Sequence, residues 1–415
     1  MKELMNTIAI NIRSTIWRYY AHNFLRQLAF FSAVLVPFFT EWGRISLFQV
    51  QLLQSWFTLW LFLLEVPTGA VADFVGRKYS LALGALITVV GALVYGSVPR
   101  FEFFLLGEFL FAAGMALTSG ADQALLYDSL VEANKEGESK SVFAKAHTFT
   151  LLGVMFSAVI GSFIAMKFGL NAPMLFSAIP FFLASLIALT FQEPKVHQNV
   201  SESKRYIEIL KKGFSFFYHH KPLRIMALDA VIVAAGGYFV IWLYQPLLQS
   251  MNIPLFYFGF GHVLLTGTEI LIASNFIRIE KFLKSGRAYF RYTALLTALP
   301  FFFVALFPNL ATIGLFIALS GGFGMTRIEL MSAYMNKHIP SEQRATVLSS
   351  ISMLRRFTLM LLNPVVGFVA SVSLPTALIL VGLLPLFIFM FSRITEETLN
   401  GSEQVPIELD THSVR

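Results

Sequence analysis

Apolar runs of about 20 residues recur along the chain, and short polar breaks separate them. A helix of this length crosses the hydrocarbon core of a bilayer, whereas a membrane β-barrel would show short segments of alternating polarity. The pattern therefore predicts an all-α integral membrane protein with twelve transmembrane helices. The predicted spans lie near residues 23–41, 47–72, 79–98, 101–127, 141–167, 171–191, 223–249, 254–277, 287–307, 309–335, 343–370 and 373–393.

One long polar stretch, residues 192–222, interrupts the series after the sixth span. It divides the spans into two bundles of six and predicts a cytoplasmic linker, with an amphipathic surface helix from Arg205 to Tyr218. The expected domains are a cytoplasmic N-terminal segment over 1–22 that lies on the membrane surface, a bundle over 23–191, the linker over 192–222, a bundle over 223–395 and a cytoplasmic tail over 396–415.

The two bundles carry matching residues at a nearly constant spacing of 207 to 210 positions. The matched pairs are Pro37 and Pro246, Leu47 and Leu255, Gly76 and Gly286, Asp122 and Glu329, and Tyr127 and Tyr334. Such a repeat indicates two parallel, pseudo-symmetric halves related by an axis along the membrane normal. At a spacing of 210, Asp73 falls on Leu283, so the second half is expected to lack this acid.

The amino-acid composition supports a membrane protein and argues against nucleic acid as a partner. The chain is 56% hydrophobic and only 13% charged, whereas a soluble domain carries about 25% charged residues. Its 31 lysines and arginines exceed its 24 acids, but they concentrate in the loops on one side, which indicates cytoplasmic loops rather than nucleic-acid binding. With an even number of spans, both termini are expected in the cytoplasm of a multi-pass cell-membrane protein. The chain has no cysteine, which excludes disulfides and thiolate metal sites.

The stretch GAVADFVGRK, from Gly69 to Lys78, lies between the second and third predicted spans. Gly69 and Asp73 are four residues apart and share one helix face. Gly76 allows a tight turn, and Arg77 and Lys78 place two positive charges at the lipid–water boundary. The string resembles the loop signature G-x-x-x-D-x-x-G-R-K of the major facilitator superfamily (MFS). The alternative is an ordinary basic loop between two membrane helices.

Two further stretches, YDSL at 127–130 and IPSEQRATVL at 339–348, resemble a poorly characterised prokaryotic branch of the same family. Membership implies two six-helix bundles that open a central site to one side of the membrane at a time. Drug–proton antiporters of this family carry an arginine in span four, whereas the comparable stretch here, 106–110, has Glu108 and no arginine. That motif therefore does not imply drug antiport.

The resemblance also implies a charge network at the cytoplasmic ends of the bundles. Asp73, Arg77 and Asp128 match its members and would hold the bundles together when the site faces outward. Asp73 is then expected to face the positive N-terminus of the helix that begins near Ser341. The alternative is an ordinary interfacial ion pair that only anchors the loop.

Charged side chains inside membrane spans are costly, and they usually face a cavity or a partner of opposite charge. Four acids are therefore candidates for proton coupling, namely Glu269, Asp122, Glu329 and Glu108. For Asp122 and Glu329, residues on other spans are the expected partners, with Arg26 or Arg355 as the candidates. The residues expected to line a cavity between the bundles are Asn23, Arg26, Gln27, Gln123, His147, Asp229, Tyr244, Gln245, Arg327 and Arg355.

Together these features predict a secondary active transporter that moves a small organic solute across the lipid bilayer by alternating access. Proton-coupled export is the first expectation, and uptake of a small polar or anionic solute with protons or sodium is the alternative. The rivals from other classes are a membrane-embedded enzyme, although the charges are scattered rather than clustered, and a transporter-like sensor without flux. The sequence shows no nucleotide motif, metal-ligand cluster or nucleophile triad, so no cofactor, metal or catalysis is expected, and the protein is expected to be a monomer.

Overall fold

The computed structural model describes residues 2–193, 215, 217–340 and 343–401. The helices of the first half are α1 Lys2–Arg26, α2 Leu47–Val75, α3 Arg77–Ser97, α4 Phe101–Thr118, α5 Ala121–Glu132, α6 Ser139–Phe168 and α7 Ala172–Leu189. Those of the second half are α8 Lys221–Ser250, α9 Phe256–Phe282, α10 Gly286–Leu306, α11 Leu310–Leu315, α12 Gly322–Met335, α13 Arg344–Val372, α14 Leu374–Phe391 and α15 Glu396–Asn400. The described residues form no strand, and the predicted all-α membrane fold is confirmed. Most of the predicted linker, including the proposed helix from Arg205, lies outside the described residues.

Eleven stretches of the described chain are helical, long and apolar enough to cross a bilayer. The fourth predicted span consists of α4 and α5, which Ser119 and Gly120 separate. Gly120 has a φ of 80°, a backbone conformation that glycine adopts readily and other residues avoid. The tenth predicted span consists of α11 and α12, joined by a π-helical turn over Phe316–Gly321. The first predicted span is missing from the eleven because it is not one continuous helix.

The first span is broken after Arg26. Helix α1 runs from Lys2 to Arg26, so the domain boundary expected between 22 and 23 falls inside a helix, and its last turns are buried at Tyr19 and Tyr20. Residues 27–31 then leave the helix, and short 3-10, α- and π-helical turns continue to Trp42. Pro37 has no backbone N–H and so removes one hydrogen bond from this segment.

The break is held by close packing against the neighbouring helices. A Cβ atom at Gly161 of α6 would lie only 1.6 Å from the carbonyl oxygen of Phe30, so the two backbones touch directly. The backbone N–H of Phe30 donates to the Ser177 hydroxyl at 2.9 Å. Irregular backbone is tolerated at membrane depth only where protein surrounds it and satisfies its polar groups. These contacts meet that requirement.

The third helix of each half begins in the same way. Glu193 follows α7 and accepts hydrogen bonds from the backbone N–H groups of Arg77 and Lys78 at 2.6 and 3.0 Å. Glu396 follows α14 and accepts one from the backbone N–H of Arg287 at 2.8 Å. An acid is favourable at both places, because a helix N-terminus carries a partial positive charge and free N–H groups. These matching caps support the duplication read from the sequence.

The loop between α9 and α10 corrects one sequence alignment. Helix α2 ends two residues after Asp73, and α9 ends two residues after Glu280. Residues 283–285 then separate α9 from α10, whereas a single glycine separates α2 from α3. The counterpart of Asp73 is therefore Glu280 and not Leu283, because the longer turn changes the spacing between the halves. The hydroxyl of Tyr334 donates a hydrogen bond to the Glu280 carboxylate.

The hydrophobic cores differ between the two membrane faces. We call the face that carries the loops after α2, α5, α9 and α12 the basic face, and the other one the opposite face. Near the basic face, one core cluster consists only of first-half residues and another only of second-half residues. Near the opposite face, Val34 and Ala165 join the second-half cluster around Phe239, and Trp242 joins the first-half cluster around Phe38. The halves are therefore joined at the opposite face and have separate cores at the basic face.

Candidate functional site

Hydrogen bonds between the halves are concentrated near the opposite face. The side-chain oxygen of Gln245 in α8 accepts from the backbone N–H of Val36 at 2.9 Å. The amide of Gln249, one turn further on, donates to Glu41 at 2.7 Å and to Thr40 at 3.2 Å. The broken first span is thus bonded to the end of α8, and this face is closed.

Helices α2 and α13 also join the halves, deeper in the membrane. The Ser55 hydroxyl donates to the carbonyl oxygen of Met360 at 2.9 Å, and Arg356 forms an ion pair with Glu65 at 2.6 Å. Towards the basic face, the described residues of α5 and α12 share no hydrogen bond or ion pair with each other. The described hydrogen bonds between the halves thus lie at the opposite face and along α2 and α13.

A cavity of about 380 Å³ lies in the second half between α8, α12 and α13. Its lining residues are Ala234, Tyr238, Met325, Ile328, Glu329, Ser332, Met335, Leu348, Ile351, Ser352, Arg355 and Leu359. Mostly apolar walls with a few polar groups are typical of small-molecule sites. Two of the charged residues that the sequence analysis identified, Glu329 and Arg355, line this cavity and carry opposite charges.

The charged groups of this cavity have no direct partners. The side chains of Glu329 and Arg355 are exposed and make no hydrogen bond or ion pair within 4.0 Å among the described residues. Glu329 attracts Arg355 at longer range and repels Glu269 of α9. Arg355, one of the two candidate partners of Glu329, lines the same cavity, but the two groups do not form a contact ion pair. The charges of Glu329 and Arg355 therefore remain available to a ligand in this cavity.

The first half contains a pair of opposite charges, Arg26 and Asp122. Arg26, the last residue of α1, lies 4.0 Å from the Asp122 carboxylate in the first turn of α5, and the two side chains are 23% and 22% exposed. Asp122 also accepts a hydrogen bond from the backbone N–H of Gln123 at 2.7 Å. A base at a helix C-terminus and an acid at a helix N-terminus both suit the helix dipoles. Of the two candidate partners of Asp122, the structure thus brings Arg26 to the limit of ion-pair distance.

Glu108 of α4 is buried, with 6% of its surface exposed. One carboxylate oxygen accepts a hydrogen bond from the Gln54 amide at 2.8 Å, and no described cation lies within 4.0 Å. The side chain lines a second cavity of about 190 Å³ inside the first half. Glu108 is therefore the most deeply buried of the four candidate acids, and it has no counter-charge.

Asp229 and Arg327 are not among the residues that line the 380 Å³ cavity. Their side chains are 3% and 1% exposed and form an ion pair inside the second half. Arg327 also donates to the carbonyl oxygen of Phe290 at 2.6 Å and to the Thr293 hydroxyl at 2.8 Å, while Ser392 donates to Asp229 at 2.7 Å. The pair was assigned to a cavity because a buried charge is costly, but here each charge is satisfied by protein.

Other expected cavity residues lie elsewhere. Gln245 is fully buried in the contact between the halves, and the Tyr244 hydroxyl is buried 3.5 Å from His262 Nδ1, so neither lines the 380 Å³ cavity. Asn23 is buried near the end of α1. The last three candidates lie outside this cavity too: Gln27 is in the break after α1, and Gln123 and His147 are exposed on α5 and α6. Polarity within a span did not show which helix face a residue occupies.

The loop between α2 and α3 contains part of the expected charge network. Arg77 forms an ion pair with Asp128 of α5, and Gly76 has a φ of 106°, as a tight turn at glycine requires. The side chain of Asp73 and the segment at Ser341 lie outside the described residues, and the role of the network stays a prediction. Sequence reasoning missed Glu193, although an acid directly after a predicted span is a recognisable helix-cap signal.

Two pseudo-symmetric bundles that share cores and hydrogen bonds at one membrane face and have separate cores at the other define the architecture of a solute transporter. A sequence model of the Major Facilitator Superfamily matches residues 22–362. The chain therefore belongs to the Major Facilitator Superfamily. This agrees with the resemblance seen in the loop from Gly69 to Lys78, and it means that the protein is a transporter and not an enzyme.

Several known proteins resemble the chain. The L-fucose-proton symporter of Escherichia coli (strain K12) is 23% identical over 412 residues, which cover 88% of this chain and 89% of the symporter. The chloroplastic D-xylose-proton symporter-like 3 of Arabidopsis thaliana is 27% identical over 124 residues, which cover 30% of this chain but only 22% of that protein. The crystal structure of the nucleoside transporter NupG superimposes with a TM-score of 0.74 at 15% identity and covers 91% of this chain and 98% of that one.

Proposed function

We propose that the protein is a secondary active transporter that moves a small organic solute by alternating access, coupled to protons. The observation that carries the proposal is the asymmetry between the two faces. The cores and hydrogen bonds of the halves merge at the opposite face, whereas the cores are separate at the basic face. A rocking motion of the halves would close the cavity at one face and open it at the other.

We place the basic face in the cytoplasm of the cell membrane, because positively charged loops stay on that side. The conformation described here is then inward-facing. The ion pair between Arg77 and Asp128 belongs in this proposal to a latch, which we define as Asp73, Arg77 and Asp128. The latch engages the second half when the basic face closes, and Gly69, Gly76 and Lys78 shape its loop.

Protons are the coupling ion that the surroundings of the acids favour. Two ionised carboxylates close together repel each other, and protonation of one removes this repulsion. Glu269 and Glu329 interact in this way beside the cavity, while Asp122 and Glu108 are the candidates in the first half. Two relatives are named as proton symporters, which favours symport. Export by antiport with protons is therefore the second candidate direction.

Spin labels test the alternating motion without knowledge of the solute. The chain has no native cysteine, so single cysteine pairs label cleanly. Glu132 and Lys337 are exposed near the basic face, and Arg100 and Leu310 are exposed near the opposite face, with one member of each pair in each half. We expect a change of pH or solute to shorten the first distance and lengthen the second. Two distances that stay fixed, or change in the same direction, would contradict alternating access.

A matched pair of variants tests the coupling. Glu269→Gln should remove the pH dependence of solute counterflow in proteoliposomes, because glutamine cannot exchange a proton. Glu280→Gln changes an acid at the end of the same helix, α9, that accepts a hydrogen bond from Tyr334, and should keep the pH dependence. An unchanged pH profile in Glu269→Gln would exclude this residue as the proton carrier.

A further inference from the structure

The cavity of about 190 Å³ beside Glu108 combines one negative charge with aromatic walls. Its rings come from four parts of the first half: Phe31 from the break after α1, Phe57 from α2, Tyr95 from α3 and Phe111 from α4. The three phenylalanines are only half-buried, so their rings present surface to the cavity. None of the four rings is covered by a described lysine or arginine.

We propose that this pocket, formed by Glu108 and the four aromatic rings, binds the ammonium head group of an organic cation. The inference rests on the proposed function, because it takes the pocket to be part of the transport path. A buried carboxylate attracts a cation strongly where water is scarce, and aromatic faces attract weakly hydrated cations such as alkylammonium groups. The pocket offers both and supplies no cation of its own.

The volume of the pocket and its polar groups limit which ligands can bind. A water molecule occupies about 30 Å³ in the liquid, so the cavity holds a group of roughly six heavy atoms. That is the size of a compact alkylammonium group and not of a whole drug-like molecule. A hard metal ion would need six or so oxygen ligands, whereas one carboxylate and one phenol are the acidic or hydroxyl groups among the lining residues.

Tyr238 of α8 lies between this pocket and the larger cavity. Like Phe31 and Phe111 of the pocket wall, it packs against the first-half cluster around Phe38, and the charge of Glu108 acts on it. The same residue lines the 380 Å³ cavity. A ligand whose head group lies beside Glu108 would therefore extend past Tyr238 towards the charges of the second half, and it would touch both halves as a transported solute must.

Binding of tetramethylammonium chloride to the purified full-length protein tests the proposal, by calorimetry and by thermal shift. Wild type should bind it saturably, while sodium chloride and neopentyl alcohol, a neutral molecule of similar size and branching, should not bind. Glu108→Gln, which keeps an acceptor for Gln54, should weaken binding at least tenfold. Glu102→Gln, at the exposed start of the same helix, should bind as wild type does.

A second matched pair of variants tests the role of the aromatic rings. Phe57→Leu should weaken tetramethylammonium binding roughly tenfold, whereas Phe62→Leu, which changes an exposed ring of the same helix, should have no effect. No saturable binding to wild type, equal binding of neopentyl alcohol, or full binding by Glu108→Gln would overturn the proposal and leave Glu108 as a proton site only. The spin-label distances would still report alternating access, so the two proposals fail separately.

Discussion

Each half of the molecule holds one pair of opposite charges between its first and fourth spans, and the two pairs are built differently. In the first half the base, Arg26, is on the first span and the acid, Asp122, is on the fourth. In the second half the acid, Asp229, is on the first span and the base, Arg327, is on the fourth. Their exposures are 23% and 22% in the first pair but 3% and 1% in the second.

The difference shows what each pair is suited for. Arg327 has protein partners for its donors and also lies 4.7 Å from the centre of the Phe290 ring. A pair so fully satisfied fixes the packing of α8, α10, α12 and α14 and has nothing left for a ligand. Arg26 and Asp122 are 4.0 Å apart and partly exposed, so the pair can open, exchange a proton or accept a solute. The pair of the first half thus has an access to solvent that the pair of the second half lacks.

The largest effect is expected from Asp229→Asn. It leaves the Arg327 guanidinium buried without a counter-charge, which costs about 3–5 kcal/mol of folding free energy. Thermal unfolding in detergent should show a strongly lowered midpoint. The double variant Asp229→Leu with Arg327→Met removes both charges and should recover much of the loss. Wild-type stability of Asp229→Asn would show that the buried pair of Asp229 and Arg327 is not required for the stability of the fold.

The second prediction compares the two equivalent loops. Asp128→Asn removes the partner of Arg77, and Asp73→Asn removes the other acid of the latch, so either should lower counterflow roughly tenfold while insertion stays intact. Glu280→Gln changes the second-half counterpart of Asp73, which bonds Tyr334 within its own half, and should leave the rate nearly unchanged. The solute for the assay is one that stabilises wild type in a thermal-shift screen. Normal flux in Asp73→Asn and Asp128→Asn would remove the gating role.

The third prediction concerns the partly exposed pair of Arg26 and Asp122. Asp122→Asn should change the free energy of unfolding by less than about 1 kcal/mol, because partly exposed ion pairs contribute little to stability. It should nevertheless alter the pH profile of counterflow, since the side chain can no longer take up a proton. Instability comparable to that of Asp229→Asn would mean that the two pairs have the same role after all.

The sequence predicted the fold well because apolar length and repeat spacing are local properties. Twelve spans, two halves and the turn at Gly76 follow from them, while the break after Arg26 depends on Gly161, which lies far away in the chain. Site residues were harder to place. The sequence shows only that charged residues such as Arg355, Glu329 and Arg327 lie within membrane spans. The packing of α12 then shows that Arg327 points into the core while Glu329 points into the cavity.

The smallest effect is expected where the halves meet, at the ion pair of Glu65 and Arg356. Both side chains are partly exposed, at 27% and 19%, so Glu65→Gln should cost the present conformation at most about 1 kcal/mol. That shifts the ratio of conformations no more than roughly fivefold. The distance between labels at 132 and 337 should therefore shorten in a larger share of molecules.

A matched control is Ser55→Ala, which removes a neutral hydrogen bond between the same two helices. If the charge matters, Glu65→Gln shifts the label distances in a salt-dependent way, because screening weakens an ion pair, whereas the effect of Ser55→Ala does not depend on salt. Equal, salt-independent shifts would mean that Glu65 and Arg356 act only through packing.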